Sequence, residues 1–201
     1  MLNRFKNLSC YEEFEIQVAL AGISKIDVLK EIGHQINDYY FFISNDGIFN
    51  WFDLEGNHIE DPGVLTEIEQ KHIPRTITNC VIPESVTSIG NRAFWGCVSL
   101  KEITIPDSVT SIGNNTFAFC ESFTSITLPE SVTSIGEYAF YSCESLKEIN
   151  IPNSVTSVGK WAFSFCKSLK EIIFKGKTLE QVKQMDCYLF CTRSKPIIKF
   201  S

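Results

Sequence analysis

Apolar and polar positions recur with a period of 23 residues over the second half of the chain. The repeating unit reads L-x-x-I-x-I-P-x-S-V-T-S-I-G-x-x-x-F-x-x-C. Its most regular positions hold proline, glycine, phenylalanine and cysteine, and the first copy has them at Pro83, Gly90, Phe94 and Cys97. One unit of this length cannot bury its own apolar side, whereas stacked units can, so the period predicts a solenoid.

The L-x-x-I-x-I segment of each unit predicts a short β-strand, because its last positions alternate between apolar and polar residues. The following proline has no N–H group to extend the strand, so we expect the strand to end there. We interpret S-V-T-S as a loop, the next glycine as a flexible corner, and the segment ending at F-x-x-C as at most a turn or two of helix. Stacking predicts an α/β-type solenoid with a parallel sheet of about five to six strands. Strands are expected to begin near Ile77, Leu100, Phe123, Leu146 and Leu169.

The unit resembles the BspA-like, or Treponema-type, leucine-rich repeats, whose hallmark is I-P-x-x-V-x-x-I-G-x-x-A-F-x-x-C. Residues 82–97 match it throughout, and residues 128–143 match it with leucine at the first position. The family's alanine is kept in three units and replaced by Thr116 in one. The resemblance covers about residues 73–201. It implies a leucine-rich repeat fold and a recognition role, often on bacterial or protozoan surfaces.

The chain divides into three predicted regions: a small α+β N-terminal unit or cap at 1–72, the repeats at 73–175, and a C-terminal cap at 176–201. In the first region, helices are predicted to begin at Ser9 and Ser24. A hairpin is predicted around residues 45–47, which read Asn-Asp-Gly between two aromatic runs. Asp61 and the proline after it predict a third short helix.

The C-terminal cap is predicted to contain one helix and one strand. Thr178 and Gln181 have the spacing of a capping box, which predicts a helix to about Met185. Residues 196–200 read Pro-Ile-Ile-Lys-Phe, which favours a final strand.

The charge balance narrows the range of expected partners. The 201 residues carry a formal net charge of -6, so no basic field exists to hold phosphate groups and nucleic acid is not expected. The acidic excess lies in residues 1–76, which hold 6 Lys/Arg against 13 Asp/Glu. No apolar run reaches the roughly 18 residues of a membrane span. The first residues lack a signal peptide's apolar run, which favours the cytoplasm over the cell surface or secretion.

Eight cysteines allow two interpretations. Those of neighbouring units would lie near disulfide distance, or each would fill a repeat position as a small buried apolar group, which the repetition favours. Cys187 and Cys191 suggest a metal pair, but no second pair follows, so we interpret them as cap residues. Cys10 also lies outside the repeated column.

Catalytic chemistry is not predicted. A Cys–His nucleophile needs a thiol beside a base, and the three histidines His34, His58 and His72 all precede the repeats that hold most of the thiols. No phosphate-binding loop occurs in the sequence. We therefore expect neither enzyme activity nor a cofactor nor a metal.

Two surfaces remain as candidate protein-binding sites. On the sheet face, the polar residues are either a docking surface or charge rows that keep the sheet soluble: Glu102, Thr104, Ser125, Thr127, Glu148, Asn150 and Glu171. On the turn side, the aromatic residues either anchor a partner or pack between turns, or do both: Trp95, Phe119, Tyr138, Tyr141, Trp161 and Phe165.

The function that the sequence favours is non-enzymatic protein recognition on the solenoid surface, including cell-surface or host interaction, with a partner of unknown identity. An architectural protein that associates with itself is the alternative. A third hypothesis places an activity in residues 1–72 and makes the repeats a targeting arm.

Overall fold

The computed structural model describes residues 11–44, 47–185 and 196–201. The N-terminal region contains two helices, α1 (Tyr11–Ala21) and α2 (Lys25–Ile32). They are followed by an antiparallel sheet in chain order, formed by β1 (His34–Ile36), β2 (Tyr39–Ile43), β3 (Phe49–Phe52) and β4 (His58–Ile59).

Most of the elements predicted for this region are confirmed. The Ser24 side chain caps α2 by accepting a hydrogen bond from the Asp27 N–H, and β2 pairs with β3 as a hairpin. The helix predicted at Asp61 is wrong. The Asp61 carboxylate accepts the Gly63 N–H at 2.9 Å, and Gly63 has a positive φ of 72°, so the chain makes a turn there instead. Ser9 and two residues of the hairpin loop lie outside the described residues.

The solenoid contains two rows of parallel strands. In chain order they are β5 (Glu67–Ile68), β6 (Asn79–Val81), β7 (Ser88–Ile89), β8 (Glu102–Thr104), β9 (Ser111–Ile112), β10 (Ser134–Ile135), β11 (Glu148–Ile151), β12 (Ser157–Val158), β13 (Glu171–Phe174) and β14 (Ile197–Phe200). The two rows alternate along the chain, so each coil contributes a strand or a bridge to both.

The first row is the predicted sheet. β6 pairs with β8, and β11, β13 and β14 form a three-stranded parallel sheet. In the coil between these groups, the pairing is reduced to a bridge between Thr127 and Asn150. The prediction of about five to six parallel strands is confirmed.

The second row corrects part of the interpretation of S-V-T-S as a loop, because the last serine and the apolar residue after it form a short strand. β5, β7, β9, β10 and β12 form a five-stranded parallel sheet. In Thr110 both the backbone N–H and the hydroxyl donate to the Thr87 carbonyl oxygen, at 2.8 and 3.2 Å. Thr133 and Thr156 repeat these contacts one and two coils later. The threonine is therefore a hydrogen-bonding element of the stack.

The repeated glycine is also not a flexible corner, because its backbone does not adopt a positive φ. A Cβ at Gly136 would lie 2.5 Å from the backbone carbon of Gly113, and one at Gly159 would lie 2.4 Å from the Glu137 nitrogen. Glycine occupies this position because neighbouring coils approach each other there more closely than any side chain allows.

The core runs through the solenoid as columns of identical side chains. Phe94, Phe117, Phe140 and Phe163 are fully buried, with successive ring centroids 5.2, 5.3 and 5.5 Å apart. The same core includes Trp51 of the N-terminal sheet. Helices α1 and α2 bury a separate cluster. The predicted boundaries at 72 and 175 stay a prediction.

The C-terminal predictions are confirmed. Helix α3 (Leu179–Lys183) starts with the capping box between Thr178 and Gln181, and β14 pairs in parallel with β13. Within the described ranges, none of the helices has the length and apolar character needed to cross a bilayer.

Candidate interaction surfaces

The turn side of each coil contains two positions with a left-handed backbone. The first position holds Arg92, Asn115, Tyr138 and Trp161, and the second holds Gly96, Phe119, Ser142 and Phe165, with φ between 56° and 71°. Glycine and asparagine adopt this conformation readily, whereas other L-residues lose roughly 1–2 kcal/mol in it. Four of these eight positions nevertheless hold an aromatic residue.

Hydrogen bonds between coils explain this conformation. Alternate N–H groups of the turn point at the next coil, so that Arg92, Phe94 and Gly96 donate to carbonyl oxygens of that coil at 2.8–2.9 Å. The same pattern recurs at the next two coils. Because this ladder needs the left-handed residues, the backbone shape belongs to the repeat and does not depend on the side chain. The sequence predicts at most a turn or two of helix in this segment, and its residues form successive turns without a helix.

The aromatic side chains on this side form a continuous row. Two adjacent positions in each coil hold one aromatic and one small residue, and their order alternates: Trp95-Gly96, Ala118-Phe119, Tyr141-Ser142 and Ser164-Phe165. As a result the rings meet between coils, with centroids 5.7 Å apart for Trp95 and Phe119, 5.4 Å for Phe119 and Tyr141, and 5.1 Å for Tyr141 and Phe165. We call these four side chains the aromatic row.

Further side chains border the aromatic row. The Arg75 guanidinium lies 5.2 Å from the Trp95 ring centroid, and the Tyr138 ring lies 5.6 Å from that of Tyr141. Trp95, Phe119 and Trp161 keep 39, 37 and 38% of their surface exposed. The ring contacts confirm the predicted packing of the aromatic side chains between turns. The use of these side chains as anchors for a protein partner stays a prediction.

The sheet-face residues lie together on the solvent side of the first row of strands, in the expected order. Glu102 stands opposite Asn79 in the register, and Glu148 stands opposite Glu171. The Glu171 carboxylate forms an ion pair with the Lys199 ammonium of β14 at 2.7 Å. The Asn150 side-chain amide donates a hydrogen bond to the Glu148 carboxylate at 3.3 Å. The surface therefore mixes acids, amides and hydroxyls, and its role in binding stays a prediction.

The aromatic alternation is visible in the sequence once the units are aligned, but the left-handed backbone of Phe119 and Phe165 is not. The repeat pattern at these positions names no glycine, so the sequence offers no sign that the aromatic side chains sit on an unfavourable conformation. This is the feature of the turn side that sequence reasoning missed.

Comparison with known proteins assigns the repeats to a protein family. A family model described as the BspA type leucine rich repeat region matches residues 72–195 in six copies. The chain belongs to the BspA-type leucine-rich repeat family. Proteins of this family are generally non-enzymatic repeat proteins.

Two solved structures resemble this BspA-type protein. A leucine-rich repeat protein from Bacteroides ovatus is 28% identical with a TM-score of 0.52, covering 71% of this chain and 46% of its own. A leucine-rich repeat protein from T. pallidum is 24% identical with a TM-score of 0.56, covering 83% of this chain and 85% of its own. The chain thus spans less than half of the Bacteroides protein. No curated protein matches it significantly.

The repeated cysteines of this BspA-type solenoid are free and fully buried, which confirms their interpretation as small buried groups. Their thiols donate to backbone carbonyl oxygens of the preceding coil, for example from Cys120 to Phe94 and from Cys143 to Phe117, both at 3.1 Å. Burial raises the pKa of Cys97 to about 11 and that of Cys166 to about 12. Such thiols stay protonated and are poor nucleophiles or metal ligands.

The described residues of the BspA-type protein do not bring together a metal site, and two of its histidines contact each other. His34 and His72 pack edge to face with ring centroids 5.2 Å apart, and burial, followed by the effect of His34, lowers the pKa of His72 to about 4. No group of three or more potential metal ligands occurs in residues 11–44, 47–185 and 196–201. Cys10, Cys187 and Cys191 lie outside the described residues.

Proposed function

We propose that this BspA-type protein is a non-enzymatic recognition module that binds a protein partner through the aromatic row. One observation carries the proposal: the aromatic row keeps Phe119 and Phe165 at left-handed positions where the same column holds Gly96 or Ser142 in other coils. Residues in strained backbone conformations concentrate at functional sites.

Physical chemistry supports this role for the aromatic row. Aromatic side chains are enriched among the residues that dominate binding energy, since they bury a large area with few rotatable bonds. Ring contacts between coils hold the four side chains in place before any partner arrives, so little conformational entropy remains to be lost on binding. The sheet face differs, because its acids stand beside the exposed row Lys101, Lys147 and Lys170, and opposite charges side by side chiefly maintain solubility.

Affinity capture from the source organism with three forms of the chain tests the proposal. The row variant carries Trp95→Ser, Phe119→Gly and Phe165→Gly, which are residues that other coils already use in these columns. The sheet variant carries Glu102→Lys, Glu148→Lys, Glu171→Lys, Lys101→Glu and Lys147→Glu. We expect the row variant to lose partners that the wild-type chain and the sheet variant both retain. Partners lost by the sheet variant alone would contradict the proposal.

Self-assembly is the second candidate, and β14 is the observation that favours it. This strand ends its sheet in the described part of the chain, and Ile197 on it is 61% exposed. An open strand edge with apolar side chains is a template for pairing with another chain. Sedimentation over a concentration series should then show association that Ile197→Lys abolishes, whereas a monomer at every concentration would exclude this candidate.

A further inference from the structure

An open groove of about 1010 Å³ lies where the N-terminal sheet meets the first coil of the solenoid. One wall comes from β3, β4 and the turn after β4, and the opposite wall comes from residues 81–85, at the end of β6. The first residues of α1 contribute Tyr11 and Glu12. The groove is distinct from the aromatic row, because the two share no residue.

The floor of this groove is apolar and reachable. Ile48 is 44% exposed and Val81 is 48% exposed, and both line the groove together with the half-buried Phe49 and Ile59. Val81 is the first-coil member of a strand position that later coils fill with Thr104, Thr127 and Asn150. The solenoid therefore presents an apolar side chain at this position next to the N-terminal region, and polar ones at the next three coils.

The rim of the groove carries charge of one sign. Four carboxylates line it, namely Glu12, Glu60, Asp61 and Glu84, and its lining includes no lysine or arginine. Glu60 and Glu84 are exposed, and neither forms an ion pair with a described residue. An apolar floor inside an anionic rim attracts a ligand that is apolar with flanking cations.

Trp51 lies beneath the floor of the groove and provides a spectroscopic reporter. It lines the groove, is 98% buried with 2% of its surface exposed, and its Nε1 has no hydrogen-bond partner in the described part of the structure. A buried indole N–H usually has an acceptor. This nitrogen is itself buried behind the groove surface, so the Trp51 indole N–H serves as a reporter of changes in the groove.

From these features we infer that the groove binds an extended segment of a partner protein in which apolar side chains alternate with lysine or arginine. The apolar side chains lie on Ile48 and Val81, and the cations face Glu60 and Glu84. This site is separate from the one proposed for the aromatic row, so either can fail without the other.

Titration of the ¹⁵N-labelled chain with two peptides tests the inference. The probe is Lys-Leu-Lys-Phe-Lys-Leu-Lys, and the control peptide has glutamate in place of each lysine. We expect the lysine peptide, and not the glutamate peptide, to shift the indole signal of Trp51 and the backbone signals of Ile48 and Val81. Equal binding of the two peptides, or shifts centred on Trp95 instead, would overturn the inference.

Matched variants separate the groove from general attraction to an acidic protein. The double variant Glu60→Gln and Glu84→Gln should bind the lysine peptide about fivefold more weakly, because two exposed ion pairs are lost. The control pair Glu121→Gln and Glu137→Gln removes the same charge from the turn side and should leave binding unchanged. Equal weakening by both pairs would contradict a localised site.

Apolar contact is tested in the same way. Val81→Thr removes an exposed apolar contact of the groove and should weaken binding of the lysine peptide. Val98→Thr is the control, because this valine is 47% exposed in a turn, and it should leave binding unchanged.

The first ten residues also combine apolar and basic side chains, including Arg4 and Lys6. If the peptide binds only after residues 1–10 are deleted, the occupant is the chain's own N-terminus and the partner inference is overturned.

Discussion

Replacing Gly136 by alanine tests whether close approach between coils explains the repeated glycine. The new Cβ would lie 2.5 Å from the Gly113 carbon and 2.6 Å from the Asn114 nitrogen, about 1 Å inside ordinary contact. The coils must separate there, which weakens two hydrogen bonds between them, from the Gly136 N–H to the Ile112 oxygen at 2.8 Å and from the Glu137 N–H to the Asn114 side chain at 2.7 Å.

The expected loss of stability follows from these contacts. Two hydrogen bonds at roughly 1 kcal/mol each and overpacking of about 1–3 kcal/mol together lower the free energy of unfolding by about 3–5 kcal/mol. Gly63→Ala is the matched control, because Gly63 has a positive φ of 72° but open space around it, so only backbone strain of about 1–2 kcal/mol applies.

Urea denaturation of the wild-type chain and both variants, followed by circular dichroism, measures the difference. We expect Gly136→Ala to be clearly less stable than Gly63→Ala. If Gly136→Ala costs as little as Gly63→Ala or less, close approach does not explain the glycine column and the reasoning is refuted.

Three further predictions concern the phenylalanines, the paired histidines and the buried thiols. Phe117→Ala should lower the free energy of unfolding by about 3–5 kcal/mol. Phe119→Gly should lower it by less than about 1.5 kcal/mol, because partial burial is lost while left-handed strain is relieved. Equal losses of the two variants in urea denaturation would contradict the separation of core from surface. The pKa of His72, about 4 in the folded chain, lies below the value of about 6.5 of an unfolded histidine, so the unfolded state binds the extra proton. Stability should be fully present above pH 6.5 and fall by on the order of 3 kcal/mol as the pH drops to 4, and a slope that persists in His72→Gln would rule this histidine out as its source. Cys120 and Cys143 should resist alkylation in the folded chain and react in urea, as read by peptide mass spectrometry, since their thiols are fully buried; rapid labelling of the native chain would contradict the buried column.

The strands and caps of the solenoid were predictable because they depend on patterns along the chain. The 23-residue period placed the strands of the first row, and the capping box at Thr178 placed α3. These features arise from local chemistry and from a repeat that aligns like residues in neighbouring coils. A single strong period therefore carries most of the architecture.

The features that were missed depend on contacts between coils. The short strands that begin at the last serine of S-V-T-S form beside Thr110 and its equivalents, which bond to the preceding coil, whereas an isolated polar segment is typical of a loop. The role of Gly136 also becomes visible only when Gly113 stands against it. Asp61 is a separate case that depends on a local contact, because it resembles a helix start in sequence but its carboxylate closes a turn with Gly63.

Site-specific photo-crosslinking tests most directly the claim that the aromatic row is the recognition surface. Benzoylphenylalanine replaces Phe119 in one form of the chain and Thr127 on the sheet face in another, and both are irradiated in extracts of the source organism. We predict that a protein adduct forms from position 119 and is absent from position 127. Adducts from position 127 alone would contradict the claim and move recognition to the sheet face.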